Sequence, residues 1–233
     1  MKKYRNVLLL LCILVWIPLT IWVGIRFFGD RKYLVISILI ACYTLIPFFL
    51  LFERRKPQAR EIMVIAVMIS LAVAGRAAFY MVPGFKPVAA IVIITGISLG
   101  AETGFMVGAM SMFLSNMFFG QGPWTPWQML AMGLIGLLAR VLFSHKKPQN
   151  VIVYGIYGFL AVLIFYGGIM NPASLLMMSY EINPQNLLAI YASGIWMDLV
   201  HAAGTLTFLW IAARPMLDKL ERIKVKYGLL ERG

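Results

Sequence analysis

Long apolar runs, separated by short clusters of charge, decide what this chain can fold into. Such runs recur near 7–28, 33–52, 61–82, 87–101, 104–119, 127–143, 150–170 and 188–213. A bilayer's hydrocarbon core, about 30 Å thick, takes about 20 apolar residues per helix, with shorter spans tolerated where the bilayer thins. Of the 233 positions, 61% are hydrophobic, more apolar surface than a soluble domain of this length can hide. The runs are continuous and lack the dyad alternation of barrel strands, so helices are expected. The expected class is an all-α integral membrane protein with eight spans and both termini in the cytoplasm. The first run follows Lys2, Lys3 and Arg5. It is too long for a signal-peptide core and lacks a small-residue cleavage site, so it reads as a true span.

The net charge of +12 is distributed for topology and argues against a nucleic-acid partner. Eight spans place 16 of the 21 Lys and Arg residues on one side, in or beside the N-terminus, 53–60, 144–149 and the tail. Arg26, Arg31, Lys32 and Lys86 fall on the other side, and Arg76 lies within a span. That asymmetry makes the first side cytoplasmic. The cysteines Cys12 and Cys42 fall inside spans and read as small hydrophobes, with no spacing for a metal or a disulfide. Two spans, 87–101 and 104–119, are short, about 22–24 Å. Glu102 and Thr103 form the expected cytoplasmic turn between them. No clean repeat links the two halves, which gives an inverted-repeat transporter no support.

Four features go beyond generic membrane sequence. In the third span Ala66, Ser70, Ala74 and Ala78 recur every four residues, a stripe that lets another helix backbone approach. It serves either packing within the protein's own bundle or docking of a separate membrane subunit. The outward loop from Asn116 to Gln128 holds Gln121, Trp124 and Trp127 among two prolines and two glycines. Tryptophan at this depth is ordinarily an interfacial anchor. Aromatic walls with a few amides also describe a pocket for a bulky, largely neutral ligand. Arg76, Asp198 and His201 are ionisable groups at membrane depth, where a charge must pair or line a cavity. An Arg76–Asp198 ion pair is the favoured reading, with His201 a hydrogen-bonded core histidine. Asp198-x-x-His201 has no second carboxylate, Cys cluster or activated serine beside it, so an enzyme is not expected. After Pro215, Met216, Leu220, Ile223 and Tyr227 oppose Lys219, Arg222 and Lys226. This is a basic amphipathic helix that lies on anionic lipid or meets a partner subunit.

The stretches Phe85–Gly100 and Gly104–Asn116, and the loop Gly-Gln-Gly-Pro-Trp-Thr-Pro-Trp-Gln ending at Gln128, resemble the substrate-binding S components of energy-coupling factor (ECF) vitamin transporters. The branch they resemble most is the one associated with cobalamin uptake. Asp198-Leu-Val-His201 and the tail from Lys219 to Tyr227 look like the end of the same branch, and Ala66, Ser70, Ala74 and Ala78 resemble its Ala-x-x-x-Ala helix motif. The resemblance covers roughly 60–228 and implies a six-helix S component. Such a protein binds its vitamin in an outward-facing pocket and works with a transmembrane coupling subunit and two cytoplasmic ATPases. No phosphate-loop motif occurs in this chain, consistent with ATP hydrolysis elsewhere. The expected organisation is a two-helix hairpin of unknown role over 1–56, a six-helix substrate-binding domain over 57–214, and the basic tail 215–233.

The implied substrate is cobalamin as a transported ligand, with no permanently bound cofactor and no metal. Phe79, Tyr80, Phe85, Asn116, Gln121, Trp124, Trp127 and Gln128 are the expected wall and hydrogen-bonding groups. Asn171 and Tyr180 join them by loop position. Another vitamin or precursor, or a stand-alone transporter coupled to protons through Asp198 and His201, are the alternatives.

Overall fold

A 12-residue helix sits at the middle of the bundle, too short to cross a bilayer and buried along its whole length. The computed structural model describes residues 58–143, 150–178 and 182–229, with 15, 19, 20, 22–24, 26 and 35–39 before them. Most of the expected spans 7–28 and 33–52, the 144–149 loop and Tyr180 lie outside the described residues. From residue 58 onward the helices are α1 (Ala59–Ala78), α2 (Val88–Leu99), α3 (Ala101–Phe119), α4 (Thr125–Phe143), α5 (Val151–Ala161), α6 (Gly168–Met178) and α7 (Pro184–Tyr227). A π-helical segment, Val162–Gly167, joins α5 to α6 into one rod. No strand occurs among the described residues.

The central helix is α2. Every one of its residues is buried, as expected of a helix that is apolar all round yet shorter than a span. It touches α1, α3, α4, α5 and α7. Among the described residues, four segments are long and apolar enough to cross a membrane: α1, α4, the α5–α6 rod and α7.

The turn between α2 and α3 is shifted from its expected place. It forms at Gly100, whose φ of 111° suits a residue without a Cβ. Glu102 and Thr103 instead lie in the first turn of α3, where a carboxylate complements the helix dipole. Pro215 does not interrupt the last helix, and α7 runs unbroken for 44 residues, about 66 Å. Helix α7 ends in a Schellman turn: Gly228 adopts φ 58°, and the Leu229 N–H donates to the Lys224 carbonyl at 3.0 Å. Leu220 and Leu229 are buried, and the tail lines a cavity with Ser98, Leu99 and Arg140. Leu220 and Leu229 thus pack on the protein's own bundle, while Val225 and Tyr227 stay exposed.

The described part of the N-terminal segment belongs to the same core. Ile36 is fully buried and abuts Gly24, and the Trp127 indole N–H donates to Ser37 Oγ at 3.0 Å.

Candidate functional site

A polar chain crosses the bundle near the end that carries loop 79–87. It starts at Arg76, in the last turn of α1. A guanidinium at this depth needs acceptors, and α3 supplies them. Arg76 Nη1 donates to Ser115 Oγ at 2.5 Å and to Asn116 Oδ1 at 2.7 Å. Asn116 is fully buried, and its Nδ2 donates to Thr125 Oγ1 at 2.9 Å and Gln128 Oε1 at 2.8 Å. The Tyr166 side chain of the π segment lies near Gln128. The Tyr166 ring meets His201 of α7 edge-on, with centroids 4.7 Å apart. Hydrogen bonds thus join α1, α3 and α4, and the π segment and α7 adjoin them through Tyr166.

The second half of the network is built on a helix irregularity. Pro172 lies inside α6 and has no N–H to give the Gly168 carbonyl. The Tyr191 hydroxyl of α7 supplies that bond at 3.0 Å. Asn171 Nδ2 donates to the Gly167 carbonyl at 2.9 Å and to Asp198 Oδ2 at 2.7 Å. A π segment widens the helix and often marks a functional position. Here it brings Tyr166 and Gly167 against His201 and Asp198. Tyr191→Phe should leave the Gly168 carbonyl unbonded and cost about 1 kcal/mol, read as a lowered thermal midpoint in detergent. An unchanged midpoint would mean that another donor serves that carbonyl.

The expected Arg76–Asp198 ion pair is not formed. Arg76 turns toward α3 and Asp198 toward α6, so each finds a neutral amide.

Loop 79–87 roofs this end. Phe79, Phe85 and Phe208 form an aromatic cluster with centroids 5.0–6.2 Å apart. Gly84, at φ 74°, lets the loop settle on Met197 and Val200 of α7. Tyr80 is exposed and stacks on Phe119 at 4.9 Å, and the Arg76 guanidinium lies over the other ring of that pair, Phe119, at 5.3 Å. Partial burial holds the Lys86 ammonium below the usual lysine range, and repulsion from Arg76 adds to the effect.

The remaining expected wall residues divide sharply. Gln121 folds back on its own loop: Nε2 donates to the Phe113 carbonyl at 2.9 Å, and Oε1 accepts from Thr125 Oγ1 at 2.8 Å. Trp124 packs over Gly122 and stays 39% exposed. Trp127 is 3% exposed and faces Ser37, so it is a core anchor for the N-terminal segment and does not wall an open pocket. Asn116 and Asn171 are also buried, and in this conformation they bond protein groups. Tyr180 lies outside the described residues.

Sequence reading missed Ser115, Thr125, Tyr166 and Tyr191. The one available signal was a hydroxyl at membrane depth near an ionisable residue. Ala66, Ser70, Ala74 and Ala78 are all exposed, while Ile65, Met68, Ile69 and Ala72 on the opposite face of α1 enter the core. The stripe therefore does not pack the protein's own bundle among the described residues.

The fold and its spans define an all-helical membrane protein. The chain belongs to the family of unknown function DUF6580, which matches residues 56–215. No curated protein and no solved structure matches it.

Proposed function

We propose that this chain is the substrate-binding S component of an ECF-type vitamin importer, with cobalamin as its preferred substrate. The observation that carries the reading is the free face of α1. A helix that buries one side in its bundle and presents Ala66, Ser70, Ala74 and Ala78 on the other offers a second helix close backbone contact. The coupling subunit is the partner assigned to that face, with two cytoplasmic ATPases supplying the energy. Loops 79–87 and 120–124 face outward on this reading, and both termini are cytoplasmic.

A ligand arriving there first meets Tyr80, Gln121 and Trp124, which are exposed. Aromatic faces offer area with few torsions to freeze, and amides match the many amide groups of cobalamin. Arg76, Asn116 and Gln128 lie deeper, joined by hydrogen bonds that an entering ligand must exchange for its own.

Two measurements test this. Radiolabelled cobalamin should bind the purified protein at submicromolar concentration, and no binding up to micromolar removes cobalamin as substrate. Ala74→Leu should weaken association with the coupling subunit at least about tenfold while leaving vitamin binding unchanged. Equal loss of both overturns the docking assignment. Asp198 and His201 both border the π segment, one through Asn171 and Gly167 and the other through the Tyr166 ring, which favours a second reading as a proton-coupled transporter. Uptake by proteoliposomes without any ATPase subunit would select it over the first.

A further inference from the structure

At the end of the bundle away from loop 79–87, a cavity of about 310 Å³ opens between the α7 tail and the ends of α2 and α4. Its lining is rich in donors. Arg140 gives one N–H to the Ile97 carbonyl at 2.9 Å, which pins the guanidinium, a group with five N–H donors in all. Lys224 is bonded to Glu221 at 2.8 Å and keeps two further N–H groups. Ser98 is 7% exposed, lines the cavity and has no hydrogen-bond partner for its hydroxyl among the described residues. A buried hydroxyl left unbonded is uncommon, because its desolvation is not offset. The single carboxylate, Glu221, is already engaged by Lys224, so the lining carries a net positive charge. Leu229, buried by the Schellman turn, forms the apolar edge.

We infer that this cavity binds a phosphate group, held by Arg140, Lys224 and Ser98. Phosphate is acceptor-rich and suits guanidinium, ammonium and hydroxyl donors together. The position favours a phospholipid headgroup as its source. Leu99 is the last residue of α2, and Arg140 lies one turn before the end of α4, a 19-residue helix of about 28 Å. That length matches the hydrocarbon core, so the cavity lies where headgroups meet the bundle. The inference does not rest on the transport reading, since the site is at the opposite end.

The test titrates the purified full chain in detergent with short-chain phosphatidylglycerol, short-chain phosphatidylcholine and inorganic phosphate, read by thermal shift and by native mass spectrometry. Phosphatidylglycerol should bind at least about tenfold more tightly than phosphatidylcholine. Lys224→Gln and Arg140→Gln should each weaken it about tenfold and Ser98→Ala about threefold, with Lys219→Gln, outside the cavity, unchanged. Should Arg140→Gln fail to fold, the Lys224 and Ser98 variants carry the test. Inorganic phosphate binding with the same pattern of variant effects supports the site with a soluble phosphate as its source; phosphatidylglycerol binding alone supports the headgroup. Equal weakening by Lys219→Gln, or unchanged binding in Lys224→Gln and Ser98→Ala, overturns the inference.

Discussion

Replacing Gly136 with leucine should leave no folded, monodisperse protein after detergent extraction. A Cβ at Gly136 would land on the Gly104 carbonyl, with its carbon 2.6 Å away. A Cβ at Gly104 would lie 2.6 Å from both the Gly136 oxygen and the Gly96 Cα, and one at Gly96 would meet the Gly136 carbonyl. The obstacles are backbone atoms of other helices and cannot rotate away. Any side chain here must separate α2, α3 and α4 along the seam where small residues let them touch. Overfilling a packed core ordinarily costs about 1–3 kcal/mol, and the alanine variant should fall at the upper end of that range. Leucine should exceed it, against a total stability of about 5–15 kcal/mol. Gly168→Ala is the control, because nothing lies within 4 Å of its Cβ position and its φ is −60°. It should shift stability by less than about 0.5 kcal/mol. Size-exclusion profiles and thermal midpoints decide the matter, and a wild-type midpoint for Gly136→Leu would refute the three-helix contact.

Asn116→Leu should be the most damaging change in the polar network, lowering stability by about 3–5 kcal/mol. Asn116 is fully buried and accepts from Arg76 while donating to Thr125 and Gln128. Leucine removes all three bonds and places a hydrocarbon against the guanidinium. Ser115 remains as one acceptor for Arg76, which is why the loss stops short of that for an isolated buried charge. Asn116→Asp tests the chemistry. It keeps the acceptor for Arg76 and adds opposite charge, and the Gln128 amide can turn to donate to it. Asp should therefore restore at least half of the midpoint lost in the leucine variant. Equal loss in both would show that shape, and not hydrogen bonding, sets the requirement at this position.

Much of the helical layout was legible because apolar runs of span length are local in sequence. The runs 61–82, 127–143 and 188–213 each fall on a helix long and apolar enough to cross a membrane. Boundaries were less legible. Gly100 stops α2 because it alone at that turn takes a positive φ freely, and the sequence pattern pointed instead to the polar pair just after it. The last span and the tail read as separate pieces about Pro215, but they form one continuous helix whose Leu220 packs against the bundle.

The candidate site was legible as residue types and illegible as pairings. Arg76 and Asp198 were recognisable as ionisable groups that need partners, and Asn116 and Gln128 as amides at one end. Which of them meet depends on the rotation of each helix about its axis. That rotation is set by the glycine contacts of α2, α3 and α4 and by the π segment before Pro172. Trp127 shows the same limit: a tryptophan at a helix start looks the same in sequence whether it faces a ligand or Ser37.

The long apolar runs by themselves determined that this protein is helical and built for a membrane, because apolar length and unpaired backbone polarity leave few other folds open. Only the tertiary structure decided that the small-residue face of α1 is exposed among the described residues, that Arg76 and Asp198 bond separate amides, and that the tail lines a cavity. Those outcomes depend on helix phase and contact between segments distant in sequence, which local hydropathy does not encode.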